Sequence, residues 1–476
     1  MSDRASGLRA PRRLVGLVFS LALVMPATAT TALAHASDRG FVLLLPTGYY
    51  AFAGAAAVTA SFLVLAILPS EPVLRLFAAR LPLVGIPRRG VAATSLLSFA
   101  GLAVLVAAGL LGSRDPLSNP LPLVVWTLLW VGLTLAQGTI GDLWRWLNPW
   151  SGPLQIAGRV AGRRRTPLSL PRWVGFWPAA LFFFGFGWFE LIDPAPDDPE
   201  RLAAAVACYW TASFAAMLLV GERWRRRGEF LSVFFDMLAR LAVLGRQGRR
   251  LCLCWPGAQL ATVRPLPASG VVFLILALAS VSFDGLSKTF FWLGINGVNP
   301  LEFPGRSAMT GINTAGLVLT FAALWLAFQA AVRAGAWLGG IEAASGKAAG
   351  LYVWSIVPIA LAYHFAHYLT LLAVNAQYAL VALSDPFSRG WNLFGTAYWP
   401  VSPGIVAGAG SAWVLWNLQA GAIILGHVVA VLVAHRLALR LAASRRAAAL
   451  GQAPLALLMV GYTVFGLWLL STPTAG

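Results

Sequence analysis

Charged residues make up only 11% of this 476-residue chain, where a soluble globular domain carries about 25%. Acidic residues are the scarcer kind, 17 Asp and Glu against 35 Lys and Arg. So little charge excludes the soluble globular class. Cysteine is nearly absent, and three residues (Cys208, Cys252, Cys254) cannot build a disulfide framework. Cys252 and Cys254 form a CxC in an arginine-rich loop. Two thiolates are a weak metal signal, and inert cysteines at a membrane surface are the simpler reading. Six methionines with no Met-rich loop argue against a Cu(I) pathway. The chain lacks HExxH, Walker A, GxSxG and CxxCH, so nothing identifies a zincin helix, a nucleotide site, a serine triad or a covalent haem.

Apolar sequence is what the chain has in excess: 59% hydrophobic residues and a mean hydropathy of +0.74. Apolar runs near 20 residues recur, each long enough to cross a hydrocarbon core of about 30 Å. The expected spans are 48–68, 92–111, 121–140, 173–192, 202–220, 268–283, 309–332, 351–381, 412–435 and 454–471. The fold class is therefore all-α, a polytopic transmembrane helix bundle of about ten spans, with 35–476 as a single membrane domain. The longest stretch without a span, Gly221 to Pro267, is arginine-rich with one amphipathic segment.

Residues 1–34 read as a cleaved signal peptide of a bacterial inner-membrane protein. Arg4, Arg9, Arg12 and Arg13 precede an apolar run, Leu14 to Met25; Pro26 breaks the helix, and Ala32-Leu33-Ala34 fits an A-x-A site. Cleavage there leaves His35 as the mature N-terminus, and a cut after Ala36 removes it. With the mature N-terminus outside, the inner segments are 70–91, 141–172, 221–267, 333–350 and 436–453. They hold 25 of the 35 Lys and Arg, while the outer segments hold six. That asymmetry follows the positive-inside rule and puts both mature termini on the extracytoplasmic side. It also accounts for the net charge of +18 without nucleic acid as a partner. The outer segments Phe283 to Ser307 and Ser384 to Gly410 are long, aromatic and rich in Gly, Pro and Asn, which favours function over mere connection.

Histidine is rare too, five in all, but its placement is informative. His364 and His367 lie mid-span, and His427 lies mid-span in the next helix at a similar depth. His364 and His367 are i,i+3 and share a helix face. His435 follows His427 by eight residues, roughly 80° round and about 12 Å lower, outside the same set of neighbours. Ionisable groups inside a membrane default to a functional hypothesis. Three imidazoles (His364, His367, His427) can hold Zn, Cu, Mn or Fe and leave a position for water, whose pKa the metal lowers toward neutrality. A haem held by His364 and His427 is the alternative, and the bland reading is that each histidine bonds a neighbouring helix. His35, as a mature N-terminus, offers an amine and an imidazole to Cu(II). Asp284, Glu302 and Asp385, at the outer ends of spans, are candidate general bases or members of a proton path.

The chain resembles the bacterial membrane proteins called fenitrothion hydrolases, a membrane-bound organophosphate-hydrolase group. The likeness lies in Ala34-His35, Leu143–Trp150 (LWRWLNPW), Ser282–Thr289 (SFDGLSKT) and Asn299–Gly305 (NPLEFPG). It continues in Ala362–Tyr368 (AYHFAHY), Ser384–Trp391 (SDPFSRGW) and Gly426 to His435, so it covers most of the mature chain. The resemblance implies a hydrolase, with metal dependence as an accompanying expectation.

Three functions are compatible with these features. The first is a membrane-embedded, metal-dependent hydrolase of a small apolar ester or phosphotriester, reached from the outer side or from lipid. The second is a copper- or haem-binding and transfer protein. The third is a transporter, or a structural subunit of a membrane complex whose protein partners are unknown. The absence of repeats and of charged residues at mid-membrane counts against a proton-coupled carrier.

Overall fold

Every apolar run near 20 residues folds as a helix, because in hydrocarbon only a helix satisfies its own backbone. The computed structural model describes residues 47–85, 90–160, 168–248, 250–302, 305–341, 345–406 and 408–472. The expected signal peptide and His35 lie outside the described residues. Ten described helices are long and apolar enough to span a bilayer. They are α1 (Gly48–Ile67), α2 (Val91–Leu111), α3 (Pro120–Thr139), α4 (Arg172–Leu191), α5 (Pro199–Val220), α7 (Ala268–Ser287), α8 (Arg306–Leu338), α9 (Gly346–Ser384), α10 (Gly410–Ala438) and α11 (Arg445–Ser471). Each expected span has its counterpart. The chain is an all-α polytopic bundle.

The helix ends fall into two sets. At the arginine-rich end, strand β1 (Arg80–Gly85) and strand β2 (Leu244–Gln247) both pair antiparallel with β3 (Arg250–Cys254). Leu266 N donates to Gly350 O, and Arg440 Nη1 donates to the carbonyls of Ala261 and Val263. At the opposite end Arg114 pairs with Asp198 and Glu200, and Arg306 Nη1 donates to the carbonyls of Glu190 and Asp193. The loops that the charge pattern groups together are thus neighbours in space. Cys252 and Cys254 are buried in β3, with the Cys254 thiol against the carbonyls of Ala242 and Val243.

Helices α3, α7 and α9 are the most enclosed of the ten. Helix α3 opens with Pro120 and Pro122 and runs as a widened π-helix over Leu123–Leu133. Helix α9 tightens into a 3-10 turn at Val353–Ser355, three to five residues before Pro358, whose ring and missing N–H break the regular ladder there. Where α8 meets α11, a Cβ on Gly335 would lie 2.1 Å from the Gly451 carbonyl oxygen, so small residues set that approach.

Between α5 and α7 lies α6 (Phe230–Ala239), whose ten residues reach about 15 Å, too short to cross. Nine of them are buried. Glu229 caps α6 by accepting from Leu231 N and Ser232 N, and the Tyr209 hydroxyl bonds the same carboxylate. Burial pushes the Glu229 carboxyl up from its ordinary range. The LWRWLNPW segment holds this helix in place. Trp144 Nε1 donates to Ser232 Oγ (2.9 Å), while Trp150 and Trp210 each donate to a carbonyl in the other's segment.

Candidate functional site: an acid–tyrosine–histidine centre

Asp284 lies three residues before the end of α7, on a helix buried on nearly all sides. Its side chain is 3% exposed and accepts three strong contacts. His367 Nε2 donates to Oδ2 at 2.7 Å, Tyr368 OH lies 2.7 Å from the same oxygen, and Lys288 Nζ donates to Oδ1 at 2.8 Å. Lys288 follows one turn later, an i,i+4 spacing that brings its ammonium back over Asp284. It lies just beyond the span, and Asp284 pushes its pKa up from the ordinary lysine value. A carboxylate buried at this depth is stable only when paired in this way.

The Tyr368 oxygen has a second acidic neighbour, Glu190 Oε1 of α4, at 2.8 Å. One phenolic oxygen therefore stands between two carboxyl groups. A phenol carries a single hydrogen. The two short contacts together require another proton, and it must sit on a carboxyl. Asp284 already faces His367 and Lys288, which favours its ionised form, so Glu190 is the carboxyl that supplies the second hydrogen.

His364 adjoins this centre without entering it. Its Nε2 donates to the Trp130 carbonyl at 2.9 Å, and its ring packs at 5.2 Å from Trp130 and 4.8 Å from Tyr368. A small cavity beside it is lined by Trp130, Thr134, Glu190, Ser280, His364 and Tyr368 together with apolar side chains.

The three mid-span histidines do not converge. His364 and His367 differ by 60° around α9, enough to send one toward α3 and the other toward α7. His427 packs against Tyr363 and Tyr462 and donates from Nδ1 to the carbonyl of Ile423. Among the described residues no three His, Cys, Asp or Glu side chains are grouped to hold a metal ion. A haem between His364 and His427 fits no better, since the cavity at His364 has room for about one water. His435 bonds Gln452, and the Nε2 atoms of His427 and His435 have no partner among the described residues.

Of the three expected acids, only Asp284 joins the centre. Glu302 is exposed on a short 3-10 turn. Asp385 ends α9, where its two oxygens accept from Arg389 N and Gly390 N. It stands 17 residues from Tyr368, about 25 Å along the helix. The residue missed in the sequence is Glu190, whose signal was available: it is the only charged side chain in Trp177–Leu191. Compared with known proteins, the chain matches no family model, no curated protein and no solved structure.

Proposed function

We propose that this chain is a proton-handling membrane protein, of the transporter class, whose working centre is Glu190–Tyr368–Asp284–His367. The observation that carries this reading is the single hydroxyl set between two carboxyls, the half-buried Glu190 and the buried Asp284, at 2.8 and 2.7 Å. In that arrangement the Glu190 proton passes to the Tyr368 oxygen as the phenolic hydrogen passes to Asp284. His367, whose side chain is 26% exposed, loads the relay in the opposite sense. As its Nδ1 takes up a proton its Nε2 hydrogen passes to Asp284, and from there by the reverse of that step to Glu190. Each step moves a proton along an existing hydrogen bond, with no side chain displaced. Intramembrane acids facing a bundle interior are the usual substance of such relays. The absence of mid-membrane charge in the sequence reading no longer counts against a carrier once Glu190 and Asp284 meet.

In this reading the protein sits in the bacterial inner membrane with its arginine-rich end in the cytoplasm and the centre nearer the outer side. The test is proton flux into liposomes containing the purified protein and an internal pH dye, driven by a potassium-diffusion potential. Flux above that of empty liposomes, lost in Glu190→Gln and in Tyr368→Phe, supports the relay. Flux that persists in both variants contradicts it.

A second reading is favoured by one specific contact. His367 donates from Nε2 to Asp284, which leaves Nδ1 as the ring's acceptor, the pairing that orients a general base toward water. That is the geometry a hydrolase of a small apolar ester or phosphotriester needs, and it agrees with the family resemblance. Turnover of a nitrophenyl phosphotriester that is lost in His367→Ala but retained in Glu190→Gln selects this reading over the relay.

A further inference from the structure

The cavity beneath Glu190 has a composition that apolar packing does not explain. It lies among α3, α4, α6, α7 and α9, and about 20 Å³ of it is open to the centre of a water molecule. That is room for about one water. Two of its lining side chains, Trp130 and Thr134, are 6% and 1% exposed, and neither the indole Nε1 nor the Thr134 Oγ1 has a partner among the described residues. The Trp130 indole and the Glu190 carboxyl line the same cavity. Leaving the indole and the hydroxyl unpaired in a membrane interior is unfavourable, since each has given up its bonds to water. A water between them removes that cost.

We propose that this cavity binds one ordered water, bridging the Trp130 indole, the Thr134 hydroxyl and the Glu190 carboxyl, and that this water is the port through which Glu190 exchanges its proton with the arginine-rich side. The donor and acceptor count closes. Trp130 Nε1 and the Thr134 hydroxyl each donate to the water oxygen; the water donates one hydrogen to Glu190 and the other to Ser280 Oγ, which also lines the cavity. Thr134 stands five residues before the end of α3 at the arginine-rich end, so the water lies on the inward side of Glu190 while Tyr368 links Glu190 to Asp284. The exchange step is a double transfer: the Glu190 carboxyl hydrogen passes to the water oxygen as a water hydrogen passes to the other carboxyl oxygen, so atoms and charge balance. This inference rests on the relay reading above, because it gives Glu190 a proton to exchange.

Infrared spectroscopy of the full-length protein in lipid, with H2(18)O replacing H2(16)O, reads the water directly. The expected result is an isotope-sensitive O–H band of a weakly bonded internal water that disappears in Thr134→Val and in Trp130→Phe. A second readout is deuterium exchange of the Glu190 carboxyl, assigned by its loss in Glu190→Gln. Thr134→Val should slow that exchange at least about tenfold, the equivalent of one lost hydrogen bond. If the carboxyl band is present but neither variant alters the water band or the exchange rate, the port is overturned and the relay stands. If Glu190→Gln removes no carboxyl band, Glu190 has no proton to exchange and both ideas fall. Thr134→Val is nearly isosteric, and Trp130→Phe gives an independent loss of the same water should either variant fold poorly.

Discussion

Tyr363 and Tyr368 stand five residues apart on α9 and meet different neighbours. Five residues turn an α-helix by about 140°, so the two hydroxyls leave on opposite sides. Tyr363 donates to the Tyr462 carbonyl at 2.9 Å, with the His427 ring at 6.2 Å. On α11 a Cβ at Gly466 would lie 1.6 Å from the Tyr363 hydroxyl oxygen, so glycine there makes the contact possible. Tyr368 instead meets Glu190 and Asp284. A hydroxyl on a backbone carbonyl has one stable arrangement and acts as a fastener. A hydroxyl between two titratable groups has two, which differ only in the position of protons. Residue type and depth are alike at the two sites, and the partners decide what each can do.

The largest effect that separates the two faces is on proton flux. Tyr368→Phe should reduce it at least about 100-fold, the scale of losing a positioned acid–base group, while Tyr363→Phe leaves it at the wild-type level. Equal losses in both variants would erase the distinction. Next comes packing on the fastener side. Gly466→Ala should destabilise the protein by about 1–3 kcal/mol through overpacking, read as a lower thermal midpoint in detergent. Adding Tyr363→Phe removes the clashing oxygen and should restore part of that loss.

A smaller effect tests the charge balance at Asp284. Lys288→Gln should cost about 1 kcal/mol near neutral pH, because the pair is half-exposed at the lysine. The lysine pKa is raised by Asp284, so its contribution is full below the ordinary lysine value of about 10.4 and fades only as pH climbs through the raised one. The gap between wild type and variant should stay constant from neutral pH to about pH 10 and narrow above it. The smallest effect is expected at His427. His427→Phe keeps an aromatic ring against Tyr363 and Tyr462 and should leave flux unchanged. A loss there comparable to Tyr368→Phe would move the relay to the other face of α9.

The ten spans were legible because an apolar run of about 20 residues has few alternatives in water or lipid. The arginine asymmetry likewise sorted the loops into the two sets that the fold brings together. What stayed hidden depends on contacts between distant segments. Glu190 meets a tyrosine 178 residues away, and Asp284 meets the same tyrosine 84 residues away, so no local spacing announces the centre. The burial of α6 was equally unreadable, since ten apolar residues are compatible with an interfacial helix or a buried one. The small sheet joins strands some 170 residues apart in the chain. The histidines misled because an i,i+3 spacing fixes a shared face to within 60° and says nothing of which helix fills it.

The central claim is that a proton resides on Glu190 and is shared with Asp284 through Tyr368. Infrared difference spectroscopy of wild type against Glu190→Gln, in lipid at neutral pH, tests it most directly. The account predicts a protonated-carboxyl C=O band that vanishes in Glu190→Gln and shifts in frequency in Tyr368→Phe. A Glu190 that shows only carboxylate bands at neutral pH would contradict it.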